Sequence, residues 1–206
     1  MSFDPQSFRS ALAFDGARPN LFEVRLNFPD FVALEGDRAG SGDNAGGAEQ
    51  FTFMCKSASI PAQTVASIPV AYQGRNIQVA GNRTFAPWSV TVINDEDFTL
   101  RNKFEIWNNA LNGHRSNIRE RRTAQNTNLY GSTAHVIQLS KEGSPLRSYK
   151  FIGMWPTEVA AIPLDWGSND TLEQFDITFA YQWWETELGT SDGTGGEIPS
   201  RNVDIV

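Results

Sequence analysis

The side chains best suited to chemistry are few. The chain has two histidines, His114 and His135, and a single cysteine, Cys55. A protein zinc site needs three or four converging ligands, usually with two closely spaced in sequence. Neither histidine has a second ligand at such spacing. His114 follows Asn112-Gly113 and reads as a helix C-terminal cation or a loop residue. His135 opens an alternating stretch and reads as a satisfied surface imidazole. Cys55 sits in FTFMCKS, which reads as a strand in register with Phe51 and Phe53. With no base beside it, it reads as a small buried apolar residue, and alone it can form no intrachain disulfide. The 24 Asp and Glu residues include no pair whose spacing sets up a general acid and base. Gly193-Thr194-Gly195-Gly196 lacks the Lys-Ser/Thr and the strand–helix frame of a phosphate loop. Asn82-Arg83-Thr84 and Asn169-Asp170-Thr171 match glycosylation acceptors, but MSFDPQSFRSALAFDG does not read as a secretory signal. The inventory predicts no enzyme, no cofactor and no metal.

Two other groups point to contact rather than catalysis. In HRSNIRERR, Arg115, Arg119 and Arg122 fall at helical spacing. A local nucleic-acid contact is one reading of this basic run; the net charge of −7 argues against a general nucleic-acid binder and favours a solvated face or Arg–carboxylate contacts to a neighbouring subunit. Trp183-Trp184 faces both sides of one strand, so one ring points out of the core, as a sugar platform or as an anchor at a protein interface.

The elements that must position these groups are mostly strands. NLFEVRLNF alternates Phe22, Val24, Leu26 and Phe28 against Glu23, Arg25 and Asn27. EQFDITFAYQWWE alternates Phe175, Ile177, Phe179, Tyr181 and Trp183 against Gln174, Asp176, Thr178, Ala180 and Gln182. FTFMCKS, TVASIPVAY, NIQVAG, TFAPWSVTVI, AHVIQLS, RSYKFIG and TEVAAI complete about nine strands, with turn signals in KEGSP and at Gly74 and Gly81. NDEDFTLRNKFEIWNNALNGH is the clear helix. Asn94 is placed to cap it, Asp97 and Arg101 are spaced to pair, and Asn112-Gly113 stops it. Leu100, Phe104, Trp107 and Leu111 form its one apolar stripe. The pattern predicts a mainly β fold, two packed antiparallel sheets in a sandwich or open barrel, with this helix flanking them. Residues 1–188 read as one domain with a Gly-rich loop at 37–50, and 189–206 as a flexible tail. No apolar run is long enough to span a bilayer, so the monomer is not expected to insert.

Three segments in order carry a family resemblance: CKSASIP at 55–61, YQGRNIQVAG at 72–81 and VTVINDEDFTLRNKFEIW at 90–107. With EQFDITFAYQWW as a closing strand, the region 18–185 resembles the tail tube proteins of contractile-tailed bacteriophages. The Gly-rich 37–50 segment and the tail beyond 185 stand outside that likeness. The resemblance implies a homo-hexameric ring whose inner sheets join into one β-barrel. It implies rings stacked into the inner tail tube, made in the host cytoplasm and placed in the virion tail. Sheath, baseplate and tape-measure proteins would be its neighbours, and DNA would pass through it transiently without specific binding. The same fold builds type VI secretion tubes and related injection machines.

On that reading the polar faces Glu23-Arg25-Asn27 and Asp176-Thr178-Gln182 are candidates to line a polar, anionic lumen. Gly40 and Gly47 in the Gly-rich loop, Arg115, Arg119 and Arg122, and Val203 and Ile205 in the tail are candidates for contacts between subunits. Alternatives are a tube-initiating or tube-terminating paralogue, an injection-system tube protein, a carbohydrate-binding β-sandwich, or a β-rich hydrolase.

Overall fold

Alternation of apolar and polar residues builds the walls of this molecule. The computed structural model describes residues 4–12, 16–32, 46–124 and 127–188, and nine strands are present among them. In β1 (Phe22–Leu26), Val24 and Leu26 are buried while Arg25 is exposed. β1 pairs antiparallel with β6 (Ser132–Leu139), and β6 with the first part of β7 (Pro145–Val159). β9 (Trp183–Leu188) lies along the other side of that part of β7, which completes the first sheet. The second sheet runs β2 (Cys55–Ala58), β5 (Trp88–Ile93), β8 (Gln174–Ala180) and the last residues of β7. β3 (Gln63–Tyr72) and β4 (Arg75–Phe85) pair only with each other, as a separate hairpin.

β7 is the structural hinge of the fold. RSYKFIG and TEVAAI, two strands by sequence pattern, are one strand of 15 residues that belongs to both sheets. Gly153 marks the crossing with φ +62°, a left-handed conformation that a side chain would strain. The mirror correction applies downstream. EQFDITFAYQWWE is not one strand: β8 ends at Ala180, and Tyr181-Gln182 carries the chain from the second sheet to the first. The Gln182 amide donates to the Ile152 carbonyl at 3.0 Å within that bend. The alternation therefore changes phase, so that Trp184 packs on Phe85 and Tyr149 while Trp183 faces solvent.

The inward faces of both sheets share one core. Trp88 of the second sheet stacks on Phe151 of the first at 4.5 Å, and Phe179 lies 5.3 Å from the same indole. The two longest helices cover this core. α1 (Pro5–Ala11) is short and capped by Asp4. α2 (Gly46–Met54) replaces two expectations at once, the last residues of the Gly-rich loop and the strand through Phe51 and Phe53. Burial of Phe51 against Phe104 overrides the weak helix propensity of its glycines, and Phe53 on the turn's other side is exposed.

α3 (Thr99–Leu111) is the predicted amphipathic helix. Leu100, Phe104 and Trp107 are fully buried, and Leu111 packs half-buried at the core's margin. The Trp107 indole N–H donates to the Tyr130 carbonyl at 2.9 Å. The helix starts later than the sequence suggests. Residues 95–98 form a turn, Asp95 accepts from the Thr99 amide at 3.2 Å, and Asn94 instead donates its side-chain amide to Glu173. Asp97 therefore precedes the helix, and Arg101 pairs one turn onward with Glu105 at 2.9 Å. Two single-turn helices follow, α4 (Arg121–Ala124) and α5 (Thr127–Tyr130).

Candidate assembly surfaces

The chemically capable side chains are engaged in local contacts. Burial pushes the Cys55 thiol up to about 12, so it stays protonated, and it points at the Ser57 carbonyl 3.7 Å away. The His114 amide donates to Asn109 Oδ1 at the helix end. His135 lies half-buried on the outward face of the first sheet, 3.9 Å from Glu187. Burial lowers its pKa; Glu187 raises it, and Lys150 and Arg25 lower it further. Among the described residues no cluster of three His, Cys, Asp or Glu could hold a metal ion. Among them, too, no helix is long and apolar enough to cross a membrane.

The six lumen candidates do not form one surface. Glu23 and Arg25 pair with each other on the outward face of the first sheet, and Asn27 follows β1, its side-chain amide donating to Thr133 Oγ1 at 3.0 Å. Asp176 and Thr178 lie on the outward face of the second sheet, across the shared core from the first. Gln182 belongs to neither face, because it sits in the bend between β8 and β9 beside Gly153. The second sheet's outward face has members the sequence reading passed over. Thr91 Oγ1 donates to Asp176 at 2.7 Å, Ser89 and Thr178 hydroxyls lie 3.2 Å apart, and Lys56 donates to Gln174 at 2.8 Å. The alternation within WSVTVI signals Ser89 and Thr91, since Trp88, Val90 and Val92 face the core.

The contact candidates also scatter. Arg115 and Arg119 share no helix, because 114–116 form a turn and 117–120 are irregular. Arg119 lies over the Tyr130 ring at 5.0 Å and reaches the Leu111 carbonyl, so it braces its own chain. Arg122 falls in α4. Gly47 falls in the first turn of α2, and Gly40, Val203 and Ile205 lie outside the described residues.

Two exposed apolar features went unread in the sequence. The first is the β3–β4 hairpin. Gln73 and Gly74, both at positive φ, make the two-residue turn that matches strand twist. Ile68, Val70 and Tyr72 share one face with Val79 and Ile77 across the ladder, and these five side chains are between 47 and 58 % exposed. Ser67, Pro69, Ala71, Asn76, Gln78 and Ala80 take the other face. The hairpin is thus amphipathic, with nothing in the described chain under its apolar side. Its root is held where Phe85 meets Tyr181 and Trp184, and where Tyr181 donates to the Ala86 carbonyl at 2.6 Å. The second feature is the 160–173 connection between β7 and β8, where Trp166 is fully exposed and Leu164 and Leu172 nearly so. Its signal was large apolar residues set among Gly, Ser, Asn and Asp.

Outward polar faces and an amphipathic hairpin with no partner among the described residues are the features of a structural β protein. Comparison with known proteins agrees. The phage tail tube protein family matches residues 17–187, and this chain belongs to that family. It is 36% identical over 172 residues to the tail tube protein gp19 of Enterobacteria phage T4, covering 83% of this chain and 92% of that protein. A solved structure of the anti-feeding prophage tube-terminating cap shares the fold with a TM-score of 0.56 at 16% identity, over 84% of this chain and 91% of that one. A chain of the PVC sheath-tube complex of an extracellular contractile injection system does so with a TM-score of 0.51 at 13% identity, over 91% of this chain and all of that one. The family is one of non-enzymatic structural components of the virion tail.

Proposed function

We propose that this chain forms hexameric rings that stack into the inner tube of a contractile tail, the conduit for genome ejection. Residues 1–188 act as one assembling domain, with sheath, baseplate and tape-measure proteins as neighbours. The observation that carries the reading is the β3–β4 hairpin, whose apolar face has no partner among the described residues. Five half-exposed side chains represent roughly 1 kcal/mol each on burial, about 5 kcal/mol per subunit, a large driving term when repeated around and along a tube. The free edges of both sheets support ring closure, since pairing across subunits removes edges that would otherwise invite aggregation.

Of the two polar faces, that of the second sheet suits the lumen. It presents Asp176, Thr178, Ser89 and Thr91, with Lys56 already engaged by Gln174. Few cations means little counterion release and little drag on passing DNA. The Glu23-Arg25-Asn27 face then looks outward. Substituting Val70→Asp with Ile77→Asp tests the assembly. The purified wild-type chain should show rings and tubes by negative-stain microscopy and sedimentation, and the variant only folded small species. Tubes from the variant at wild-type concentration refute the role given to the hairpin; a wild-type chain that stays monomeric at all concentrations refutes the tube. Asp176→Lys should leave assembly intact and slow DNA ejection at low salt, with recovery as salt screens the added attraction.

A further inference from the structure

The hairpin and the exposed 160–173 loop sit at opposite ends of the same two strands. β5 and β8 pair with Trp88 opposite Phe179 at one end and Ile93 opposite Gln174 at the other. The hairpin enters β5 through Phe85 and Ala86 at the Trp88 end. The loop enters β8 at the Gln174 end, its residue Glu173 bonded to Asn94 just past Ile93. Six residues of strand set the attachment points of the two features about 17 Å apart along the strand direction.

Their charges are opposite. Residues 63–85 contain Arg75, next to the hairpin turn, and Arg83, with no carboxylate. Residues 160–173 contain Asp165, Asp170 and Glu173, with no Lys or Arg. Both features are also apolar and exposed: Tyr72, Val70 and Ile77 on one, Trp166 and Leu164 on the other.

We infer that the apolar face of one copy's hairpin docks on the 160–173 loop of the next copy along the tube, with Trp166 as the central anchor and the Arg75 end facing the loop's carboxylates. A contact between unlike surfaces at two ends of a subunit is heterologous, and when it does not close into a ring it propagates as a filament. An aromatic side chain enclosed by apolar neighbours with a charged rim is the composition of an interface hot spot. The inference rests on the tube reading but assigns the axial contact, so the two can fail separately.

Two experiments test it. Trp166→Ser is fully exposed in the single subunit and should fold as the wild type does. It should retain ring-sized species while raising the concentration needed for tubes by about 30-fold or more, as loss of a hot-spot aromatic does. Separately, chains carrying Tyr72→Cys are mixed with chains carrying Trp166→Cys under mild oxidation, the native Cys55 being buried. Disulfide-linked pairs of one chain of each kind are expected, appearing only under conditions where tubes form. Tubes from Trp166→Ser at wild-type concentration overturn the inference and leave the tube reading standing. Tyr72–Tyr72 position cross-links in place of the mixed pair overturn it in favour of a symmetric hairpin contact. A wild-type chain that never forms rings overturns both.

Discussion

Trp107→Phe measures how far the flanking helix braces the subunit. Trp107 is fully buried, with Phe28 at 6.1 Å, Phe104 and Phe179 each at 6.5 Å, and its N–H on the Tyr130 carbonyl at 2.9 Å. Phenylalanine keeps an aromatic ring but removes the donor, leaving a buried carbonyl unpaired at a cost of about 1–3 kcal/mol. The smaller ring also leaves a small void, adding about 1 kcal/mol. The sum is about 2–4 kcal/mol. At roughly 2–4 °C per kcal/mol for a domain of this size, the midpoint should fall by about 5–15 °C. The assay is thermal and denaturant unfolding by far-UV circular dichroism, below the concentration of assembly so that association does not shift the midpoint. Leu111→Ala, at the margin of the stripe, should cost about 1 kcal/mol, and Trp166→Ala no more than about 0.5 kcal/mol. A Trp107→Phe protein within about 0.5 kcal/mol of wild type would refute the account of the helix as a brace tied through Tyr130.

Two further outcomes follow from other parts of the fold. Gly153→Ala should destabilise by about 1–2 kcal/mol in denaturant titration, because the φ of +62° at the β7 crossing is strained for any residue with a Cβ; an unchanged midpoint would show that the crossing relaxes freely. Burial holds the His135 pKa below its ordinary 6.5, so the unfolded chain binds more protons than the folded one as pH falls past that value. Stability should therefore rise with pH through that window and sag below it, and His135→Gln should flatten this dependence when unfolding midpoints are compared between about pH 5 and 8.

The fold class was legible because both of its carriers are local. β1 and β8 alternate cleanly over a whole strand, and the stripe of α3 recurs at helical spacing, so each element declares its buried face without knowledge of its neighbours. What failed was decided at long range. β7 reads as two strands because its pattern is broken at Gly153, where the chain changes sheets, and the 174–188 stretch reads as one for the converse reason. Phe51 alternates with Phe53 as in a strand, yet its partner Phe104 lies on α3, and that contact selects a helix. Such choices depend on a residue more than 50 positions away and leave no periodic trace.

The surfaces were less legible than the fold, for a physical reason. A burial pattern states which face of a strand is apolar but not what covers it. Ile68, Val70, Tyr72, Ile77 and Val79 look like any core strand pair in sequence, and only the fold shows that no layer among the described residues lies beneath them. The lumen candidates were divided for a similar reason, since polar faces on β1 and β8 are equivalent as patterns and point away from each other in space.

The separation of the two apolar features also bears on how the chain avoids dead-end dimers. Had Trp166 and the hairpin formed one contiguous patch, two copies could have covered it by a two-fold contact, which closes and stops. A hairpin-to-hairpin dimer is the remaining closed option, since its apolar face is self-complementary. It would bring Arg75 and Arg83 of one copy against those of another with no carboxylate on either hairpin. Like charges in a contact cost affinity where each opposite pairing adds to it, so charge discriminates between partners that the apolar faces alone would accept equally. The same logic sets a salt dependence. Screening weakens both the repulsion in the closed dimer and the attraction between hairpin and loop, so high ionic strength should erode the preference for open stacking while leaving the apolar association intact.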